Sequence, residues 1–479
     1  MKNIVRQIMD ENTGSGRNTA IVDGSRSWSY AEIFRRVGRL RDELESLGIG
    51  PGQRVAFRCP DGTGYVIGSL GLLLAGAAVV PVSMELTEAE RHETLERIDV
   101  HGYLFQEGSE QGVDADRAVN ATGLDKEFHW RPRSPRGHAP AECDELNAAF
   151  IRFSSGTTGT SKGVVLSHES IIDRTDAANE ALRFSPQDRI LWVLSLSHHF
   201  VVSILLYLRK GVTIVMGNRN FPVSVIEAVA RGDITFIYAS PVHYQLLAKT
   251  PSVGPDDLSD VRMAISTAMK LPEQTAAAFA AKFGIEPAEA YGIIEVGLPF
   301  INLHPGPGNR GSVGQILPAY ELRIEDGDAQ GIGEVLIRGK GMFDAYFSPW
   351  RWREDVLEDG WFRTGDLGRL DHEGNLYIEG REKTVIVCGG MKVFPVEVEE
   401  ILNAHPAVRE SLVHGVDHPT YGQVPRATIV PADDDVVEEE LVRELREHCY
   451  SWLSPYKVPK EFTLSDRLPR TASGKLVRH

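Results

Sequence analysis

The stretch FIRFSSGTTGTSKGVVLSH, Phe150 to His168, sets a turn crowded with glycine and hydroxyl residues between two apolar runs. Gly156, Gly159 and Gly163 stand among Ser154, Ser155, Thr157 and Thr158, with Lys162 close behind. Such a composition suits backbone N–H groups that converge on anionic oxygen. The nucleotide-hydrolase loop G-x-x-x-x-G-K-[ST] does not account for it. Counted from Gly156, that pattern needs glycine at Ser161 and a hydroxyl residue at Gly163. The hydrolase loop also feeds a helix, whereas AAFIRF before this turn and GVVLSH after it both read as strands.

Outward from the turn, helix and strand signals alternate. SYAEIFRRVGRLRDELESLG places Ile33, Val37, Leu40, Leu44 and Leu47 on one face, with Ser29 as N-cap, Glu32 completing a capping box and Gly48 as the stop. GQRVAFRC reads as a strand, and GYVIGSLGLLLAGAAVVPVS as a buried helix, a glycine turn and a further strand. GVTIVM, PVSVIEAVARG and ITFIYAS continue the pattern, which predicts an α/β fold with parallel sheet. The Pro-rich segment Trp130 to Glu145 reads as a loop. From Arg310 to Tyr377 the character shifts to short strands split by glycine turns, among them GEVLIRG and NLYIEG. A compact tail with helices VEVEEILNAH and EEELVRELREHC follows, which places a domain boundary near Gly380 to Lys383.

The chain has 479 residues, 42% of them hydrophobic and 25% charged, which suits a soluble protein of two to four domains. No apolar run reaches the ~18 residues of a membrane span, and the first residues lack the apolar core of a signal peptide. A cytoplasmic protein without a membrane span is the expectation. Cys59, Cys143, Cys388 and Cys449 form no C-x-x-C pair, which argues against structural zinc or a disulfide framework. A net charge of −16 argues against general nucleic-acid binding.

Five segments, taken in order, resemble the adenylate-forming superfamily of acyl-CoA synthetases, carrier-protein adenylation domains and luciferases. They are SSGTTGTSKGV, AYGIIEVG, GWFRTGDLG, GREKTVIVCGGMKVFPVEVE and PRTASGKLVR. The resemblance runs nearly the full length. It implies a large N-terminal α/β adenylation domain, 1–380, of parallel sheets flanked by helices with a small β-barrel-like part. It also implies a small, mobile α+β C-terminal domain, 381–479. The implied reaction joins a carboxylate to the α-phosphate of ATP with Mg²⁺, giving acyl-AMP. A thiol, either coenzyme A or the phosphopantetheine arm of a carrier protein, then displaces AMP. No covalent enzyme intermediate is needed, so catalysis rests on positioning and charge stabilisation.

By the same resemblance, Ser154, Ser155, Gly156, Thr157, Thr158, Gly159 and Lys162 form a clamp on the phosphates. Tyr291 lies against adenine, with Gly292 beside it. Asp366 accepts hydrogen bonds from the ribose hydroxyls, a task suited to an acceptor-only carboxylate, and Arg381 is its companion. Glu295 and Thr158 are the magnesium residues, one carboxylate being enough beside substrate phosphates and water. Lys475 bridges the attacking carboxylate and the α-phosphate, and Lys383 is the hinge about which the C-terminal domain turns between half-reactions. Gly389 and Gly390 line the thiol channel. Two departures stand out: Ile294 replaces a threonine, and Val387 a second lysine of some relatives.

LSLSHHFVVSILLYL resembles the segment that gates the acyl pocket. His198 takes the gating position and His199 a substrate-reading one; two adjacent histidines alone make a poor zinc site. An aspartate for an α-ammonium is lacking there, which disfavours an amino acid. The family's S-G-G-A-P segment appears as STAMKLP, so Thr267, Ala268 and Met269 add bulk. With Phe200, Ile204, Tyr238 and Ala239 they predict a mainly apolar pocket for an aryl, cyclic or medium-chain acid. A luciferase-like monooxygenase and a non-catalytic relative are the other classes, and nothing in the sequence favours either.

Overall fold

The computed structural model describes residues 2–479 apart from 111–116, 120–122, 136, 138–139, 154–161, 218–220, 232, 390, 434–436, 471–475 and 478–479. The chain forms two compact units. The larger takes in the described residues up to Glu321 and returns for Arg338–Phe362; the smaller holds Leu322–Ile337 and the described residues from Arg363 onward.

Local sequence signals build the larger unit as expected. The helix Tyr30–Ser46 carries a full capping box, in which the Ser29 hydroxyl accepts from the Glu32 N–H and the Glu32 carboxylate accepts from the Ser29 N–H. Such a cap contributes about 1 kcal/mol. Its apolar face, Ile33, Val37, Leu40 and Leu44, is fully buried against the helix Thr63–Ala75. Gly71 makes that approach possible, because a Cβ there would lie 2.5 Å from Leu40. Gly76 ends the second helix in the left-handed region, φ +88°, where glycine alone is unstrained.

Two sheets dominate this unit. The first has eight strands, in the order Gly297–Ile301, Ala288–Ile293, Met263–Ser266, Phe236–Ala239, Arg189–Trp192, Thr213–Met216, Thr19–Asp23 and Arg26–Ser29. Its six inner strands are parallel, and an antiparallel hairpin closes each edge. The second has nine strands, with Ala148–Phe153 parallel to Ala78–Pro81 on one side and antiparallel to Gly163–Ser167 on the other. Residues 154–161 lie in the chain between the two strands of that antiparallel pair.

One sequence expectation is corrected here. Trp130 to Pro132 are not loop: Phe128–Pro132 is a strand paired antiparallel with Gly102–Gln106. Trp130 is buried over Gly102, where any Cβ would collide with the indole. That burial outweighs the proline and charge that read as a loop, since Pro132 falls at the strand's end and leaves the ladder intact.

The smaller unit has a core of Ile386, Val393, Val398, Leu402, Val413, Ala427, Leu441 and Leu445. The helices Pro395–Asn403 and Glu438–Trp452 supply one side, and the long antiparallel pair Val408–His418 and Gly422–Pro431 the other. A four-stranded sheet ends in the pair Phe362–Leu370 and Leu376–Arg381. No helix among the described residues is long and apolar enough to cross a membrane.

Candidate active site

Parallel strands bring their carboxyl ends to one edge of a sheet, and ligands collect there. Four neighbouring strands of the eight-stranded sheet do this with residues singled out in the sequence. Arg189–Trp192 leads to His198 and His199; Phe236–Ala239 ends in Tyr238 and Ala239. Met263–Ser266 leads to Thr267 to Met269, and Ala288–Ile293 carries Tyr291 and Gly292. The ends are tied together: the Thr267 N–H donates to the Ala239 carbonyl at 3.0 Å, and the Tyr238 hydroxyl to Thr267 Oγ1 at 3.3 Å. Burial pushes the Tyr238 hydroxyl up, so it stays a neutral donor.

Trp192 stacks on Tyr238 at 6.0 Å with rings nearly parallel, and His199 meets the same indole edge-on at 6.1 Å. Aromatic pairs of this kind contribute about 0.5–1.5 kcal/mol beyond area burial. Phe200 and Ile204 are buried in a π-helical turn, Phe200–Ile204, inserted between two α-helical pieces. Such wide turns recur at functional sites because they displace side chains from helical register. Ala268 sits at φ +73°, in a region that favours glycine, and Met269 is 47% exposed. Gly292 is required by its own hairpin: a Cβ would lie 2.4 Å from the Gly297 carbonyl.

His198 shares its Nδ1 with the Ser197 and Ser195 hydroxyls, at 3.0 and 3.4 Å. Its carbonyl accepts from Arg152 Nη1 at 2.5 Å. Leu196, which begins the same short helix, donates its N–H to Asp61 at 2.9 Å. Burial, then the nearby Glu85 charge, pushes the Asp61 carboxyl up to about 6, against the pull of that amide.

Glu295 occupies the turn between strands Ala288–Ile293 and Gly297–Ile301. Its Oε1 accepts from the Tyr346 hydroxyl at 3.2 Å, and Lys162 Nζ lies 4.7 Å from the centre of the Tyr346 ring. Burial raises the Tyr346 pKa, and the Glu295 charge raises it further, which keeps the phenol a donor. Ile294, one residue earlier, gives its carbonyl to Arg174 at 3.2 Å. No group of three or more His, Cys, Asp or Glu residues among the described residues forms a metal cage. A single carboxylate with phosphate and water as co-ligands suits magnesium.

In the smaller unit, Asp366 is 4% exposed in mid-strand and pairs with Arg381 Nε at 2.8 Å, the two residues facing each other across the ladder. Lys383 follows in an exposed one-turn helix, Glu382–Thr384. Gly389 takes φ +59° at the tip of the hairpin Ile386–Cys388 and Met391–Val393. Val387 and Met391 on that hairpin are exposed. Ser154, Ser155, Gly156, Thr157, Thr158, Gly159, Gly390 and Lys475 lie outside the described residues.

The sequence reading missed Arg152, Tyr65, Asp61, Arg174 and Tyr346. Arg152 had a signal, a lone charge in the apolar run AAFIRF. The others meet the site only through long-range packing, and no local pattern marks them.

Fold and family together define a nucleotide-activating enzyme. Residues 10–347 match the family described as AMP-binding enzyme and residues 397–475 its C-terminal domain; the chain belongs to that family and is an AMP-forming, acyl-CoA-synthetase-like ligase. Among its relatives is the long-chain-fatty-acid–CoA ligase FadD13 of Mycobacterium tuberculosis, 28% identical over 100% of this chain and 97% of that protein. Feruloyl-CoA synthase of an Amycolatopsis species is 29% identical over 96% and 94%. The solved structure of o-succinylbenzoate CoA synthetase (MenE) from Bacillus subtilis with the acyl-adenylate OSB-AMP superposes with a TM-score of 0.82 at 26% identity, covering 98% of this chain and 96% of that one.

Proposed function

We propose that this ligase activates an aryl, cyclic or medium-chain carboxylic acid as its acyl-AMP and passes the acyl group to coenzyme A. The observation that carries the reading is the aromatic cluster after two adjacent strand ends, where Trp192 stacks on Tyr238 and meets His199 edge-on. Flat apolar walls with one or two polar groups suit a ring or short chain. Two of the relatives named above act on ring acids, feruloyl and succinylbenzoate.

In the first half-reaction a carboxylate oxygen attacks the α-phosphorus of ATP, and the bond to pyrophosphate breaks. In the second, the thiol sulfur attacks the acyl carbon, and AMP leaves as a proton is released. His198 holds the acid's entry and His199 reads it. Tyr291 packs on adenine, while Asp366 and Arg381 take the ribose. Lys475 bridges the two reacting anions, and the 154–159 turn with Lys162 grips pyrophosphate. Glu295, with Thr158, would hold magnesium, which when bound neutralises charge on the triphosphate. Residues 381–479 form the domain that turns about Lys383 between the halves, with Gly389 and Gly390 lining the pantetheine path.

Product analysis tests the acceptor. With a responding acid and ATP, coenzyme A is expected to yield acyl-CoA and AMP. Transfer only to a phosphopantetheine-loaded carrier protein would shift the reading to a stand-alone loading enzyme. Oxygen uptake would shift it to a monooxygenase.

A further inference from the structure

Two arginines of the larger unit act electrostatically on Glu295, and they are built differently. Arg174 is 1% exposed, with Nε and Nη2 donating to the Gly341 carbonyl at 2.9 and 2.6 Å and Nη1 to the Ile294 carbonyl at 3.2 Å. Its donors are committed to backbone, so it is a clamp that fixes the segment leading into Glu295.

Arg152 is not a clamp of that kind. Ile151 packs into the cluster with Ala56, Val80 and Val165, so its neighbour Arg152 leaves the strand on the opposite face. On that side its Nη1 meets the carbonyl of the gate residue His198, and its charge interacts with Tyr65 and Glu295. Burial pushes the guanidinium down to about 10, and both neighbours oppose that shift. The Tyr65 hydroxyl supplies no anion, because burial raises its pKa well above the ordinary value. Among the described residues, the hydrogen-bond acceptor for Arg152 is one neutral carbonyl. A guanidinium carries five N–H donors in a planar fork, and removing it from water without an anion hydrogen-bonded to that fork is costly even with the Glu295 charge nearby. The residue thus lies between the gate and the proposed magnesium carboxylate, with donors to spare.

We propose that Arg152 binds the carboxylate of the incoming acid, a substrate-binding role that rests on the acid-ligase reading given above. The fork holds the carboxylate by a charge-assisted hydrogen bond while the acid approaches a second anion, the α-phosphate. The same side chain holds the His198 carbonyl, which links acid binding to the gate's position.

Direct binding tests this without turnover. The probes are trans-cinnamate and octanoate, each against its neutral primary amide, titrated calorimetrically into the full chain with magnesium and the non-cleavable α,β-methylene analogue of ATP present. Wild type is expected to prefer carboxylate to amide. Arg152→Gln keeps an N–H donor for the His198 carbonyl but removes the charge. It is expected to weaken carboxylate binding about 10- to 100-fold, the scale of a charged hydrogen bond, and to leave amide binding unchanged. Arg152→Lys is expected to keep the preference, and it serves as the test should the glutamine variant not fold. Equal weakening of acid and amide, loss of the preference in Arg152→Lys, or no preference in wild type overturns the proposal. Pyrophosphate exchange by wild type is scored separately, since its failure strikes the ligase reading while the binding comparison still decides the arginine.

Discussion

Two carboxylates, Glu295 in the larger unit and Asp366 in the smaller, are held in contrasting surroundings. Glu295 is fixed by a tyrosine hydroxyl, by the buried clamp Arg174 on the preceding carbonyl, and by the field of Arg152. The Tyr346 ring that holds it packs in turn on Phe343. Asp366 is the more deeply buried of the two, but its partner Arg381 has a half-exposed side chain, and exposed Lys383, Val387 and Met391 follow within ten residues of it. One region is preorganised, so little reorganisation accompanies acid binding. The other is a buried anchor joined to a solvated segment, the expected build of an element that must move. In the proposed cycle, charge chemistry belongs to the first and acceptor exchange to the second.

The largest effect expected is a separation of half-reactions. Lys475→Ala should lower pyrophosphate exchange by about 10²–10³, the scale of removing one oxyanion donor, and spare thioester formation from supplied acyl-AMP. Lys383→Pro should do the reverse, keeping exchange and blocking thioester formation. Equal loss of both halves in both variants would erase the division of labour.

Next comes the contrast between the two arginines. Arg174→Met strands the Gly341 and Ile294 carbonyls, and denaturant unfolding should show a loss of about 3 kcal/mol. Arg152→Gln should be the milder change. If the two destabilise alike, Arg152 is a second clamp and the contrast fails.

The smallest effect concerns Asp61, which accepts the N–H of Leu196 at the start of the short helix Leu196–His199. Its folded pKa of about 6 lies above the unfolded value of about 3.9, so the folded state binds the proton more tightly. The stabilisation is therefore complete below about pH 4 and is lost as pH rises through about 6. Asp61→Asn keeps an acceptor for the Leu196 amide and removes the charge. Thermal melts should show it gaining on the order of 2 kcal/mol over wild type at pH 7.5, with the gain shrinking toward pH 4.5. A gain independent of pH would remove the carboxylate from the account.

Much of this was legible in the sequence, because local rules decide it. The Ser29–Glu32 box, the glycine stop at Gly76 and the strands Ala148–Phe153 and Gly163–Ser167 follow from residues a few positions apart. Trp130 misled because its environment is supplied by Gly102, nearly thirty residues away, and a proline beside it suggested a loop. The π turn at Phe200–Ile204 was hidden, since an apolar run has the same appearance in either helical form. Tyr346 and Arg174 reach the Glu295 turn from distant segments, which no spacing rule can pair. Asp366 and Arg381 were singled out through a family resemblance, and no local spacing announces that they face each other across a ladder.

The central claim is acyl-AMP formation at this site, and ATP–pyrophosphate exchange with a panel of acids, run without coenzyme A, tests it most directly. The account predicts acid-dependent exchange with a ring or medium-chain acid. ATP binding without exchange for every acid in the panel would contradict it.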